Sequence, residues 1–353
     1  MISRCLVVSN MLAFMCFMSP LSADLNAYDY YKRVSPGKEK LYVPAYKGVP
    51  AKTRRDLKKA MTQAYKHFGK RPIAPTYALF WHSKKSKLSK VSSKWCKVNG
   101  DKNKRCLTEG GGWDKGFKNE NISSGGFSDL SHKGLIEGTE GWWRDNNDDD
   151  KSHIRIAAHE YFHVYQHMLQ HYFETEKRFG IPKDLLEGDT NLVGPVWMVE
   201  GGADYFAYNI LAKNGWFNYK KQMKRALLEA RDEIKNGKKK GIVVNLKNYS
   251  TDTKIDKIRD KEFFAHFQYD GGAWANAYLR YLKGTNKGVF TNYYKDIAEL
   301  ERAWRKKGKS GYGWKKSFQK NFGMTVNKFY TKFNRFMKWP VSKQMKILKA
   351  PGV

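Results

Sequence analysis

Apolar side chains recur at helical spacing at Leu57, Ala60, Met61, Ala64, Tyr65 and Phe68, which predicts an amphipathic helix from Lys52 to Phe68, ended by Gly69 and Pro72. The aromatic and apolar run Thr76 to His82, between Pro75 and a Ser-Lys cluster, predicts a strand. From Lys84 to Asp149 no helical period is visible. That segment is rich in Gly, Ser and Trp, with Gly110-Gly111-Gly112 and Gly125-Gly126 as turn markers, and predicts strands joined by loops. From Ser152 onward helical patterns dominate, with breaks expected at Gly180 to Pro182, Gly215, Lys235 to Gly241, Gly284 and Gly308 to Gly313. There is no internal repeat. The pattern predicts an α+β fold: an N-terminal mixed helix/strand half over residues 51–150 and a mostly helical half over 151–340. A Tyr-, Lys-, Pro- and Gly-rich arm, 24–50, precedes them, and a tail, 341–353, follows.

The first 23 residues change the compartment. Arg4 followed by the apolar stretch Cys5 to Met18 and by Leu21-Ser22-Ala23 has the layout of a secretory signal, so the mature chain is expected to be secreted or periplasmic. The stretch is short for a membrane span and is interrupted by Ser9-Asn10, and no later run reaches about 20 apolar residues, so no membrane span is expected. Removing the signal leaves Cys96 and Cys106 as an even pair in an oxidising compartment, which predicts a disulfide between them.

Composition narrows the partners. The 353 residues allow one large domain or two smaller ones, and 41% hydrophobic with 15% aromatic residues excludes a disordered chain. The formal net charge of +32 makes stable partners anionic rather than cationic. The basic residues are mostly Lys, scattered in short runs such as Lys238-Lys239-Lys240, with no zinc-finger, helix-turn-helix or RNA-binding signature. They read as a solvated coat, and no specific nucleic acid is expected.

The chemistry concentrates at the junction of the two halves, in His159-Glu160-Tyr161-Phe162-His163. His-Glu-x-x-His on a helix sets two imidazoles one turn apart on one face, where both can bind one Zn²⁺, and puts the glutamate beside the metal's water. With 9 His and 15 Glu in the chain, the motif is expected by chance in only about 0.01 chains of this length. Ile154, Ile156, Ala157, Ala158, Phe162, Val164, Tyr165, Met168 and Leu169 surround it, which predicts a buried helix, with Ser152 as its N-cap. A third histidine ten positions after the first would make a metzincin, but Leu169 stands there and Gln166 replaces the required glycine. The third ligand is then sought on a later helix. Trp197-Met198-Val199-Glu200-Gly201-Gly202-Ala203-Asp204-Tyr205 offers Glu200, with Asp204 one turn on to accept the outer N–H of a ligand histidine and Pro195 suited to helix position N1.

Together, His-Glu-x-x-His and Trp-x-x-Glu-Gly-x-Ala-x-Tyr resemble the gluzincin zinc metallopeptidases, in particular the peptidase MA-like families. Tyr269-Asp270-Gly271-Gly272-Ala273 resembles the Tyr-x-x-Gly-Ala helix start found downstream in such families, and Phe318 to Phe336 resembles their C-terminal Phe-Gly segment. The resemblance covers residues 150 to 337. It implies a thermolysin-like catalytic core with the zinc cleft between the two halves. It also implies a Zn²⁺ on His159, His163 and Glu200, Glu160 as general base, and hydrolysis of a peptide or protein substrate, with acidic sequences favoured by the charge. For the oxyanion donor the candidates are Tyr269 and, next, His266. Asn119-Glu120-Asn121 shares only its last two residues with the aminopeptidase Gly-x-Met-Glu-Asn motif, which disfavours an aminopeptidase.

The remaining candidates read as structural: His167 and His171 continue the ligand row along one straight helix, and Asp145 and Asp148 to Asp150 lack calcium-loop spacing. A second class stays open, a gluzincin-fold protein that uses its charge to hold a polyanionic envelope or glycan surface with little or no catalysis. The disulfide is directly testable: thiol titration of the unfolded, unreduced mature chain is expected to find no free cysteine at Cys96 or Cys106. Closing a loop of about 11 residues contributes on the order of 3 kcal/mol of stability, lost on reduction.

Overall fold

A helix of 18 residues, α1 (Ala51–Phe68), carries Leu57, Ala60, Met61 and Ala64 on its buried face, the i, i+3, i+4, i+7 pattern of the sequence. The computed structural model describes residues 41–68, 76–82, 86, 90, 93, 122–131, 134–143, 154–163, 165–166, 194–248, 261–284, 288–305, 307 and 313–349. The signal segment, most of the arm, Cys96, Cys106, His167 and His171 lie outside them. Among the described residues no helix is long and apolar enough to cross a membrane.

The chain divides into two compact units, Met1–Asp189 and Thr190–Val353. In the first, a four-stranded sheet has the order β1-β2-β4-β3, formed by β1 (Leu41–Tyr42), β2 (Thr76–His82), β3 (Ile122–Ser131) and β4 (Gly134–Trp143). β1 and β4 each pair with β2 in parallel, and α1 supplies the crossover that two neighbouring parallel strands require. β3 runs antiparallel to β4, in register from Ile122 opposite Trp143 to Ser131 opposite Gly134. The strand predicted over Thr76 to His82 is β2, and its last two residues, Trp81 and His82, are buried. Next comes α2, helical at residues 154–163 and 165–166. Ile154, Ala157, Ala158, Tyr161, Phe162 and Tyr165 form its buried apolar face, an arc of about 140°, and His159, Glu160, His163 and Gln166 on the other side are buried as well.

The second unit is built on α3 (Val196–Lys213). Fourteen of its residues are buried, Trp197 through Leu211 almost without interruption. Pro195 occupies the N-cap of α3, one position earlier than the N1 place its fixed φ suggests. The helix stops where Gly215 takes φ 73°, with Trp216 N–H donating to the Leu211 carbonyl at 2.9 Å. α4 (Tyr219–Lys239) opens on Asn218, whose side chain accepts from Lys221 N–H at 3.0 Å. The break expected across Lys235 to Gly241 is confined to the last residues of that range. The helix runs through Gly237, where a Cβ would collide with the Val244 side chain, and ends at Lys239, just before Gly241 at φ 72°.

α5 (Lys261–Lys283) packs against α3 more extensively than any other helix pair in the unit. The crossing has no side chain in it. A Cβ on Gly272 would stand 2.6 Å from the Trp197 carbonyl oxygen and 2.9 Å from Gly201 Cα, and a Cβ on Gly201 would fall inside the backbone of Gly272. This contact corrects one expectation. Tyr269 does not lie at a helix start but about two turns inside α5, because Gly271-Gly272, which in sequence signals a helix beginning, is a mid-helix packing device. Asn276 Nδ2 donates across the crossing to the Trp197 carbonyl at 3.5 Å and within α5 to the Gly272 carbonyl at 2.9 Å, and Tyr294 on the following helix donates to the Met198 carbonyl at 2.9 Å.

The rest of the unit is α6 (Val289–Arg305), α7 (Gly313–Phe322), α8 (Val326–Phe336) and the short α9 (Val341–Met345). Their aromatic faces enclose Trp197, whose ring stacks on Phe329 at 5.4 Å, meets Phe318 edge-on at 6.3 Å and donates from Nε1 to the Tyr330 hydroxyl at 3.2 Å. Arg231 on α4 ties the end of the chain back. Its Nη1 donates to the carbonyls of Met337 (3.3 Å) and Trp339 (2.8 Å) and to Gln344 Oε1 (3.0 Å).

Gly201→Ala is expected to force α3 and α5 apart and lower the melting midpoint of the helical unit by about 5–10 °C, since overpacking against two backbones costs about 3 kcal/mol. Differential scanning calorimetry checks this. Gly215→Ala, where a Cβ meets nothing within 4 Å, should cost only the about 1 kcal/mol of the left-handed backbone.

Candidate metal centre

The site begins with α2. His159 and His163 are one turn apart on a helix whose opposite face is apolar and buried, and both imidazoles are themselves held away from solvent, at 6% and 8% exposure. Their rings meet edge to face with centroids 4.8 Å apart, and the two Nε2 atoms lie 3.1 Å from each other. Two nitrogens on a tetrahedral Zn²⁺ with bonds of about 2.0 Å stand about 3.3 Å apart. The pair is therefore already near the spacing a shared ion requires.

On the other side of its ring, His163 Nδ1 lies 2.9 Å from Gln166 Oε1. An amide oxygen can only accept, so Nδ1 carries the proton and Nε2 keeps its lone pair for a metal. Gln166 is fully buried, which fixes the ring as well as the tautomer. In the sequence this residue figures only as the absence of a metzincin glycine. The signal that points to it is its i, i+3 spacing from His163 on one helix face.

The Trp-x-x-Glu-Gly-x-Ala-x-Tyr motif divides into residues that build α3 and residues that serve the site. Trp197 fills the aromatic cage, Gly201 makes the crossing, and Ala203 is fully buried. The Tyr205 hydroxyl accepts from Arg280 Nη1 at 3.3 Å, and burial pushes its pKa up, so it stays neutral. Glu200 and Asp204 remain, one turn apart and buried at 5% and 3% exposure.

His159, His163 and Glu200 form a buried group whose possible ligand atoms all lie within 4.8 Å of one another, the one such group of three or more among the described residues. Two imidazoles and one carboxylate are a donor set suited to a catalytic zinc, which keeps one position open, and the group as a whole can hold a metal ion. Glu160, 5% exposed, follows the first ligand on α2 and is not in the group. Of the two oxyanion candidates, Tyr269 is half-buried within α5, whereas His266 is exposed one turn before it.

Replacing Gln166 by leucine keeps the volume and removes the acceptor. If the group holds a divalent metal ion, Gln166→Leu is expected to weaken its binding by about 10–100-fold, read by chelator competition with added Zn²⁺, with the far-ultraviolet circular dichroism unchanged.

No family model, no curated protein and no solved structure matches this chain, so the meaning of the centre rests on the chemistry of its own residues.

Proposed function

We propose that the chain is an exported zinc-dependent peptidase built on a gluzincin-like α+β core. The observation that carries this reading is the burial of His159, His163 and Glu200 as one ligand group, with Glu160 beside the first ligand on the same helix. Zn²⁺ bound there supplies Lewis acidity, making a water acidic and polarising a peptide carbonyl.

The chain's own residues supply the rest. His159 and His163 enter as neutral Nε2 donors, and Gln166 holds the second of them in the right tautomer. Glu200 contributes a negative oxygen that offsets the ion's charge. Glu160, kept out of the ligand group, takes the proton of the attacking water and returns it to the leaving amine, the work of a general base that then turns general acid. Asp204, one turn beyond Glu200, is assigned to orient a ligand histidine through its outer N–H. Tyr269 is assigned to donate to the developing oxyanion. An exported chain of net charge +32 draws acidic peptide segments toward itself.

The test separates metal binding from chemistry. Glu160→Gln is expected to keep near-stoichiometric zinc by elemental analysis and to lose casein hydrolysis by about 10²–10⁴-fold. Glu200→Ala is expected to lose zinc on dialysis. Asp204→Asn should fall between them, at about 10–100-fold in affinity or activity. Full hydrolysis by Glu160→Gln, or zinc held by Glu200→Ala as tightly as by the parent, would overturn the assignment.

A further inference from the structure

The stretch from Gly313 to Lys349 contains ten Lys and Arg residues and no Asp or Glu. Lys320 is neutralised from outside it, by Asp296 at 3.0 Å. Lys328, Lys332, Arg335, Lys338, Lys343 and Lys346 are not, and among the described residues none of the six is in an ion pair. All but Lys332 are exposed, and Lys332 is half-exposed.

These charges have an order. Lys328, Lys332 and Arg335 stand at i, i+4 and i+7 on α8, within an arc of about 60°, and the helical rise spaces them by about 6 and 4.5 Å. Phe329, Tyr330, Phe333 and Phe336 are buried around the other side, so the cationic row cannot turn inward. Trp339, four residues past Arg335, prolongs the row. Its ring packs edge-on against Phe336 at 5.4 Å and carries the Lys343 ammonium 4.3 Å from its centroid.

The neighbours of the row discriminate among anionic partners. A membrane surface needs an apolar side chain to insert; none of the exposed large hydrophobic residues described belongs to this stretch, and the one near it, Tyr281, has its ring stacked on Tyr278 at 6.0 Å. A single-stranded nucleic acid needs open aromatic faces for its bases, and Lys343 occupies a face of Trp339. What lies exposed on the flank of the row is polar and uncharged: Thr331, Asn327 and Asn334. A line of cations flanked by a hydroxyl and amides matches a chain of sugar hydroxyls and regularly spaced carboxylates or sulfates. We propose that the α8 row, Lys328, Lys332 and Arg335 with Lys343, is a docking face for an acidic polysaccharide. It is independent of the metal centre and would deliver the protein to an anionic glycan layer.

The experiment measures binding of the full mature chain to heparin across a salt series, with a dT oligonucleotide of equal charge and phosphatidylglycerol vesicles as parallel arms. Lys328→Ala/Lys332→Ala/Arg335→Ala is expected to weaken heparin binding at least tenfold and to lower the slope of log K against log salt by about 2. A control triple on exposed α4 lysines, Lys220→Ala/Lys224→Ala/Lys235→Ala, removes the same charge and should change binding less than twofold. Lys328→Arg/Lys332→Arg should bind like the parent, which guards against a folding defect as the cause. Equal losses in the two triples would leave only a diffuse basic coat and overturn the proposal. So would oligonucleotide or vesicles bound more tightly than heparin through the same three residues.

Discussion

The backbone contact between Gly201 and Gly272 is the constraint on which the helical unit depends. Two helices that touch without intervening side chains have one depth of approach and little freedom to slide. Glu200 directly precedes one of these glycines, so the contact that sets the packing of α3 also sets where the Glu200 carboxylate stands. Trp197, one turn earlier, is locked by the rings of α7 and α8, and Tyr205, one turn later, by Arg280. A side chain positioned by neighbours on both sides needs little reorganisation when an ion arrives.

α2 achieves rigidity by another route. One of its faces is apolar, and on the other His159, Glu160, His163 and Gln166 are buried as well, with Arg155 half-buried beside them. Burying so many polar groups on one helix is unfavourable unless each finds a partner, and the His163–Gln166 bond shows how one such demand is met. That cost is accepted at a site where a protein needs dry, oriented ligands.

Much of this could be read from the amino acids, for definite reasons. The period of Leu57, Ala60, Met61 and Ala64 yields α1 to within a residue, and the run Thr76 to His82 is β2 at both ends, because in both cases burial follows the local pattern. That His159, His163 and Glu200 come together in one buried group was legible because His-Glu-x-x-His is a local, helix-encoded spacing and because Glu200 lies in a second dense motif. What misled was glycine. Gly237 and Gly271-Gly272 read as breaks or starts, yet each is inside a helix, where the missing side chain makes room for Val244, for Phe267 one turn back and for Gly201, which is 71 residues away. Gln166 was passed over for a similar reason: a neutral amide announces no chemistry until the ring it holds is seen.

The anchoring of the chain's end by Arg231 has a further consequence. Its three acceptors are two carbonyls and an amide oxygen, all neutral. Contacts of this kind are short-ranged and dipolar, and dissolved ions hardly reach them when they are partly buried. The dominant long-range electrostatic load on a chain of +32 is its own self-repulsion, which dissolved ions do weaken. Brine therefore relieves the strain on the fold without loosening the clasp, and this corner of the molecule is built to hold firmer in a concentrated electrolyte than in pure water.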